Sequence, residues 1–223
     1  MINLKKYKFT NEDSEWSFDF QVNGVKAFKE SKSNLPGMVT FLLEQFGIEG
    51  NDFEKPMPFQ QKALNYFFEN EEKVLNAVCE GVIQYAPQIR ERYKVLPDFP
   101  ELKTIDDVKK NIVVETIHVL GDEKDGVGYL GFNCDCTWDD EHGMGVLMHK
   151  DRCVDAGEVE IATQSFENIL QDKMTTEEWS AYKEERERQK AENIANSLRW
   201  AAENEAAANE TAEQPKKWWQ FWK

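Results

Sequence analysis

At 223 residues, with 40% hydrophobic and 12% aromatic side chains, the chain can bury the core of a globular domain of roughly 150 residues and carry an appendage. Its formal net charge is −15, from 42 acidic against 27 basic residues, which speaks against binding nucleic acid or anionic lipid and for faster encounter with a basic protein. No apolar run approaches the ~20 residues that would cross a bilayer, so integral membrane association is not expected, and four cysteines are too few for a secreted disulfide framework; the chain reads as a soluble cytoplasmic protein with free thiols.

In the N-terminal part, Trp16, Phe18, Phe20 and Val22 alternate with polar residues, and Asn23-Gly24 closes the run before Val25-Lys26-Ala27-Phe28. Alternation at period two followed by Asn-Gly predicts a hairpin. The apolar run over residues 38–46 fits a helix or a strand, and Pro56-Met57-Pro58 ends the section. From Phe59 the period becomes helical. Ala63, Leu64, Phe67 and Phe68 share one face, and Leu75, Val78, Cys79, Val82 and Ile83 continue the stripe, with Asn70 placed to cap the second of two helices. Thr104 followed by Asp106 and Asp107 predicts a third helix start. Strands are then predicted over residues 112–120, 127–138, 146–149 and 153–156, with turn residues at 121–126, a loop at 138–145 and a tight turn at Lys150-Asp151. Four strands on short links form an antiparallel meander, for which the helical pair is the natural cover.

Beyond about Gln171 the character changes. Thr175 and Glu178 form a capping box that opens a helix, and between Glu177 and Gln214 stand ten acidic and five basic side chains with few large apolar ones. The last residues reverse that polarity, since Trp218, Trp219, Phe221 and Trp222 put four large rings into five positions beside Lys216, Lys217 and Lys223. Leaving such rings in water forfeits roughly 2 kcal/mol each, so they are expected to dock on a partner or on the chain itself, with a membrane interface approached through the lysines as the lesser alternative that the acidic body opposes.

The densest chemistry lies in residues 128–157, which hold Cys134, Cys136, Cys153, His142 and His149. On a strand, Leu130, Phe132, Cys134, Cys136 and Trp138 take one face, and Tyr129, Gly131, Asn133, Asp135 and Thr137 the other, which makes both cysteines core material. As metal ligands, Cys134, Cys136, His142 and Cys153 would form C-x-C-x5-H-x10-C, unlike the paired spacings of structural zinc sites. In the loop, Asp139, Asp140 and Glu141 beside His142 could make an acid and base pair, with Glu141 and His142 the candidate catalytic groups. The competing structural account has Asp139 and Glu141 capping a tight connection, Gly143 and Gly145 supplying unusual backbone angles, and His142 bonding across it. His149 is placed to pair with Asp151 or Asp155, and His118 reads as a satisfied sheet histidine.

The string C-T-W-D-D-E-H-G-M-G-V-L-M-H-K-D-R, Cys136 to Arg152, resembles the signature of an uncharacterised bacterial domain family with a G-F-x-x-x-C-x-W-[DE]-x-E-H-G-x-G-V run after a strand and a helical pair. The resemblance spans about residues 59–160 and leaves the acidic helix and aromatic tail outside it. It implies a small cytosolic domain of unknown function, with toxin immunity or another accessory role as the expectation.

The resulting expectation is an α+β fold, an antiparallel β-meander covered by a helical pair, plus a long C-terminal helix. Residues 1–57 form a β-rich section packed on the main domain of residues 58–170, followed by an acidic helix over 171–209 and a linker with the Trp-rich tail over 210–223. The leading functional reading is a non-enzymatic module, without a cofactor, that binds another protein of basic character. Its anchors would be Trp138, Asp139, Glu141 and His142 together with Trp218, Trp219, Phe221 and Trp222. The rivals are a zinc-dependent enzyme centred on residues 134–153 and a structural subunit that self-associates through the long helix.

Overall fold

The alternation of large apolar and polar residues builds one seven-stranded sheet, whose strands lie side by side in chain order. They are β1 (Thr10–Glu12), β2 (Glu15–Gln21), β3 (Met38–Leu43), β4 (Ile112–Lys124), β5 (Val127–Cys136), β6 (Asp139–His149) and β7 (Arg152–Gly157). The computed structural model describes residues 10–12, 15–29, 36–43, 56–92, 94, 99–164 and 166–213. It divides into two compact units, Met1–Lys173 and Met174–Lys223.

Neighbouring strands are antiparallel except β3 and β4, which run parallel with Thr40 opposite Thr116 and Leu43 opposite Val119. A parallel pair needs a crossover. Here it contains α1 (Pro58–Glu69), α2 (Glu71–Arg92) and α3 (Ile105–Asn111). Asn70 divides α1 from α2, but its side chain donates to the Tyr66 carbonyl at the end of α1 rather than capping α2. Thr104 caps α3 as its sequence predicts, accepting from the Asp107 N–H while the Asp107 carboxylate takes the Thr104 N–H.

Residues 112–157 form the predicted meander with two differences in extent. Strand β4 runs on to Lys124, and Asp125-Gly126, both at positive φ (54° and 71°), make the tight hairpin turn to β5. Strand β6 begins at Asp139, so the expected loop over residues 138–145 is a strand entered by a short turn at Thr137-Trp138. The N-terminal hairpin is also corrected. Asn23–Ala27 is a 3-10 turn, and β2 pairs instead with β1 and β3. The apolar side chains after Gly24 are taken by the core: Val25 and Phe28 are buried, and the Gly24 N–H is held by the Glu71 carboxylate.

One face of the sheet meets α1 and α2 in a core threaded by rings. Phe18 stacks on Phe41 at 5.1 Å, Phe41 meets Phe67 edge-on at 5.7 Å, and Phe67 reaches Phe132 at 6.1 Å. Gln60 is buried between α1 and β4, where its amide donates to the Val119 and Leu120 carbonyls at 3.1 and 3.3 Å beside an irregularity in the β4–β5 ladder. The opposite face carries a smaller cluster of Leu120, Tyr129, Leu147 and Ile169, closed by a 3-10 turn (Val159–Ala162) and by α4 (Phe166–Lys173). Strand β7 is bulged at Val154, whose carbonyl accepts from the Tyr85 hydroxyl at 3.3 Å, while the Ala156 N–H donates to the Asp155 carboxylate at 2.9 Å.

The described residues of the second unit form one helix, α5 (Thr176–Glu213), of 38 residues and therefore about 57 Å long. The predicted capping box is present, with the Thr175 N–H on the Glu178 carboxylate at 2.8 Å and the Glu178 N–H on the Thr175 hydroxyl at 3.2 Å. Pairs such as Glu187 with Lys190 at 2.7 Å, and the stacked Trp179 and Tyr182 rings at 5.4 Å, support a helix that is polar on most of its surface. No helix among the described residues is long and apolar enough to cross a membrane.

The 3-10 turn presses so closely on β5 and β6 that its seat must be glycine. A Cβ at Gly131 would land on the Ala162 carbonyl, and one at Gly145 would stand 2.6 Å from the Ala162 nitrogen. Gly131→Ala is expected to lower the unfolding free energy by about 2–3 kcal/mol, read from the denaturant midpoint. Gly157→Ala, where a Cβ would make an ordinary 3.5 Å contact with Ile161, is expected to stay within about 0.5 kcal/mol.

Candidate functional site

The four cysteines are free, three of them buried and Cys153 partly so. Cys134 points into the helix-side core, fully buried, and burial pushes its thiol far up. Burial likewise raises Cys79, Cys136 and Cys153 to about 12. A thiol in that state is a packing group with a weak donor, and two of them use it: Cys136 donates to the Asp139 carbonyl at 3.6 Å and Cys153 to that of Asp155 at 3.4 Å. The proposed ligand set Cys134, Cys136, His142 and Cys153 is not assembled, since no three His, Cys, Asp or Glu side chains among the described residues are grouped to hold a metal. The cysteines of β5 face the core, while His142 is exposed and Cys153 lies on β7 against Gly81 of α2.

At the start of β6, Asp139 organises the backbone. Its Oδ1 accepts from the Glu141 N–H at 3.1 Å, the His142 N–H at 2.9 Å and His142 Nδ1 at 3.2 Å. Asp139 is thus the carboxylate that engages the histidine, and Glu141 is held there by its N–H. Gly143 has φ 70°, and a Cβ there would approach the Cys134 carbonyl to 2.6 Å, so this position does need glycine. Gly145 needs it for close approach alone. Trp138 is buried, 6% exposed, with its ring 5.3 Å from that of Phe99 and its indole N–H without a partner among the described residues, so it is not a surface anchor. Glu141 and His142 are exposed. Trp218, Trp219, Phe221 and Trp222 lie outside the described residues.

A polar cluster that the sequence did not reveal lies on the other face, around Asp172 at the end of α4. Its Oδ2 accepts from the Tyr129 hydroxyl at 2.9 Å and from Arg152 at 2.8 Å, with Lys124 Nζ at 3.2 Å. Lys124 also donates to the Asp172 carbonyl. Burial opposes the charge on Asp172, but Arg152, Tyr129 and Lys124 outweigh it and hold the carboxyl below its ordinary value. Tyr129 is driven the other way, upward, by burial and by its carboxylate partner. His149 lies 4.9 Å from the Tyr129 ring and donates through Nε2 to the Lys124 carbonyl at 3.0 Å, not to Asp151 or Asp155 as expected. Asp151 instead pairs with Lys73, and Asp155 accepts from Asn168 at 2.6 Å. Asp172 is thus the centre of a clamp that ties α4 to β4 through Lys124, to β5 through Tyr129 and to β7 through Arg152. His118, in β4, stands between Leu42 and Gly131 in the ladder, half-buried.

A family described as a domain of unknown function (DUF6985) matches residues 8–163, and the chain belongs to it. The match begins well before residue 59, in keeping with β1 to β3 being hydrogen-bonded into the same sheet as β4 to β7. No curated protein and no solved structure matches the chain.

Burial holds the His149 imidazole below its ordinary value of 6.5. As pH falls below 6.5 the unfolded chain takes up this proton before the folded one does, so stability declines over that window and is retained above it. His149→Gln, which keeps a donor for the Lys124 carbonyl, is expected to flatten the decline. The difference between wild type and variant, from denaturant titrations at pH 5 to 7.5, should have a slope no steeper than about 1.4 kcal/mol per pH unit, the ceiling for one proton.

Proposed function

We propose that this chain is a non-catalytic module that binds another protein, with α5 supplying the contact surface and a basic partner favoured. The observation that carries this reading is the exposure of large apolar side chains on α5: Ile194 at 61%, Leu198 at 66% and Trp200 at 69%. Ile194 and Leu198 are four residues apart and share a helix face, the spacing with which a helix enters an apolar groove. Two features of the first unit support it. Its thiols are raised by burial, and its charged cluster spends its hydrogen bonds on holding α4 in place. The charge of −15 would steer a cationic partner, which suits an immunity-like or accessory role in the cytoplasm.

The test is quantitative affinity capture with the full chain, followed by binding measurements on the partner recovered. The double variant Ile194→Asp, Leu198→Asp is expected to weaken that partner at least about tenfold, and raising salt from 50 to about 300 mM should slow its association. A partner held equally by wild type and variant would refute the assignment of α5. Concentration-dependent dimerisation by light scattering, abolished by the same variant, would make the partner a second copy. Deleting residues 215–223 measures the contribution of Trp218, Trp219, Phe221 and Trp222, for which a further loss of binding is expected.

A further inference from the structure

Apart from the Asp172 cluster, the first unit has a cleft of about 410 Å³ between the last turns of α2 and the segment that leads into α3. Ile83, Ala86 and Pro87 form one wall, with Phe99, Pro100 and Leu102 opposite. Such a volume lies in the lower range of small-molecule sites and suits a ligand the size of one capped amino acid rather than an extended peptide.

Two features give this apolar space a chemical preference. Among the described residues, Arg90 and Lys103 line it against one carboxylate, Glu101, and Lys103 Nζ bonds Glu101 Oε2 at 2.9 Å. Within that set two cations face one anion, so the Arg90 guanidinium is the cation in excess, in a molecule otherwise strongly acidic. Arg90 is held over the face of Phe99, 5.7 Å from the ring centre, where a planar fork of donors is presented beside the apolar wall. The second feature is in the helix backbone. Pro87 lies inside α2 and has no N–H, so the Ile83 carbonyl, four residues earlier, lacks its helical donor, and both residues line the cleft. The site therefore combines an apolar body, a cation and a backbone acceptor.

We infer that this cleft binds a small apolar carboxylate bearing an amide N–H, of the N-acyl hydrophobic amino acid class. The side chain fills the space between Pro87 and Phe99, the carboxylate pairs with Arg90, and the N–H meets the Ile83 carbonyl. This site is independent of the protein-binding reading, because none of its residues lies on α5.

The test uses the full chain and two probes, N-acetyl-L-phenylalanine and its uncharged amide, with affinities from calorimetry or saturation-transfer NMR. The acid is expected to bind in the millimolar range or tighter, and the amide at least about tenfold more weakly. Arg90→Gln, at an exposed position, should erase the difference between the probes, and Ala86→Trp should fill the cleft and abolish binding of both. Equal binding of acid and amide to the wild type would overturn the inference, as would no binding of the acid at about 10 mM. So would full binding by a folded Ala86→Trp protein. If that variant does not fold, the Arg90→Gln comparison decides alone.

Discussion

The constraint on which the domain rests is that the central strands are covered on both sides. Antiparallel sheets commonly leave one face to water. Here β5 and β6 carry helices α1 and α2 on one face and the 3-10 turn with α4 on the other, and nearly every residue from Gly128 to Cys134 and from Gly143 to His149 is buried. Strands in that position can hold no polar group without a partner and no side chain larger than the gap. The first demand accounts for the Tyr129 and His149 hydrogen bonds, and the second for Gly131 and Gly145 under Ala162. It also sets the titration of residue types that often carry catalysis: the same burial that raises the thiols lowers the imidazole.

How far the sequence disclosed this can be traced through particular residues. The helix-side core was legible because its signals are local and periodic: the stripe from Ala63 to Ile83, the alternation Leu130, Phe132, Cys134, Cys136, and the paired caps at Thr104 and Thr175. The strand start at Asp139 was not, since Asp-Asp-Glu-His-Gly has the composition of a loop. Only its position opposite Cys136, with Asp139 gathering the N–H groups, makes it a strand end. Asn23-Gly24 misled for the opposite reason. The turn signal was real, but Val25 and Phe28 gain more by entering the core than by pairing with β2.

The Asp172 clamp was invisible for a different cause. Its partners stand 20 residues away at Arg152, 43 at Tyr129 and 48 at Lys124, a set that no periodicity or motif connects. Asp172 also falls where the composition turns acidic and polar, so composition alone groups it with the long helix rather than with the domain it closes. The boundary between the two units, after Lys173, follows directly after this clamp. Composition located the change of character correctly and could not see that its first few residues are the last fastening of the sheet.

The bulge in β7 has a consequence for how this protein can assemble. A strand at the rim of a sheet invites another to add itself, and the invitation depends on an unbroken row of free amide groups. In β7 that row is interrupted, because the Tyr85 hydroxyl occupies the Val154 carbonyl and Asp155 takes the Ala156 N–H. An arriving chain would have to strip both bonds before it could zip on. Polymerisation by edge-to-edge growth is therefore discouraged at this border.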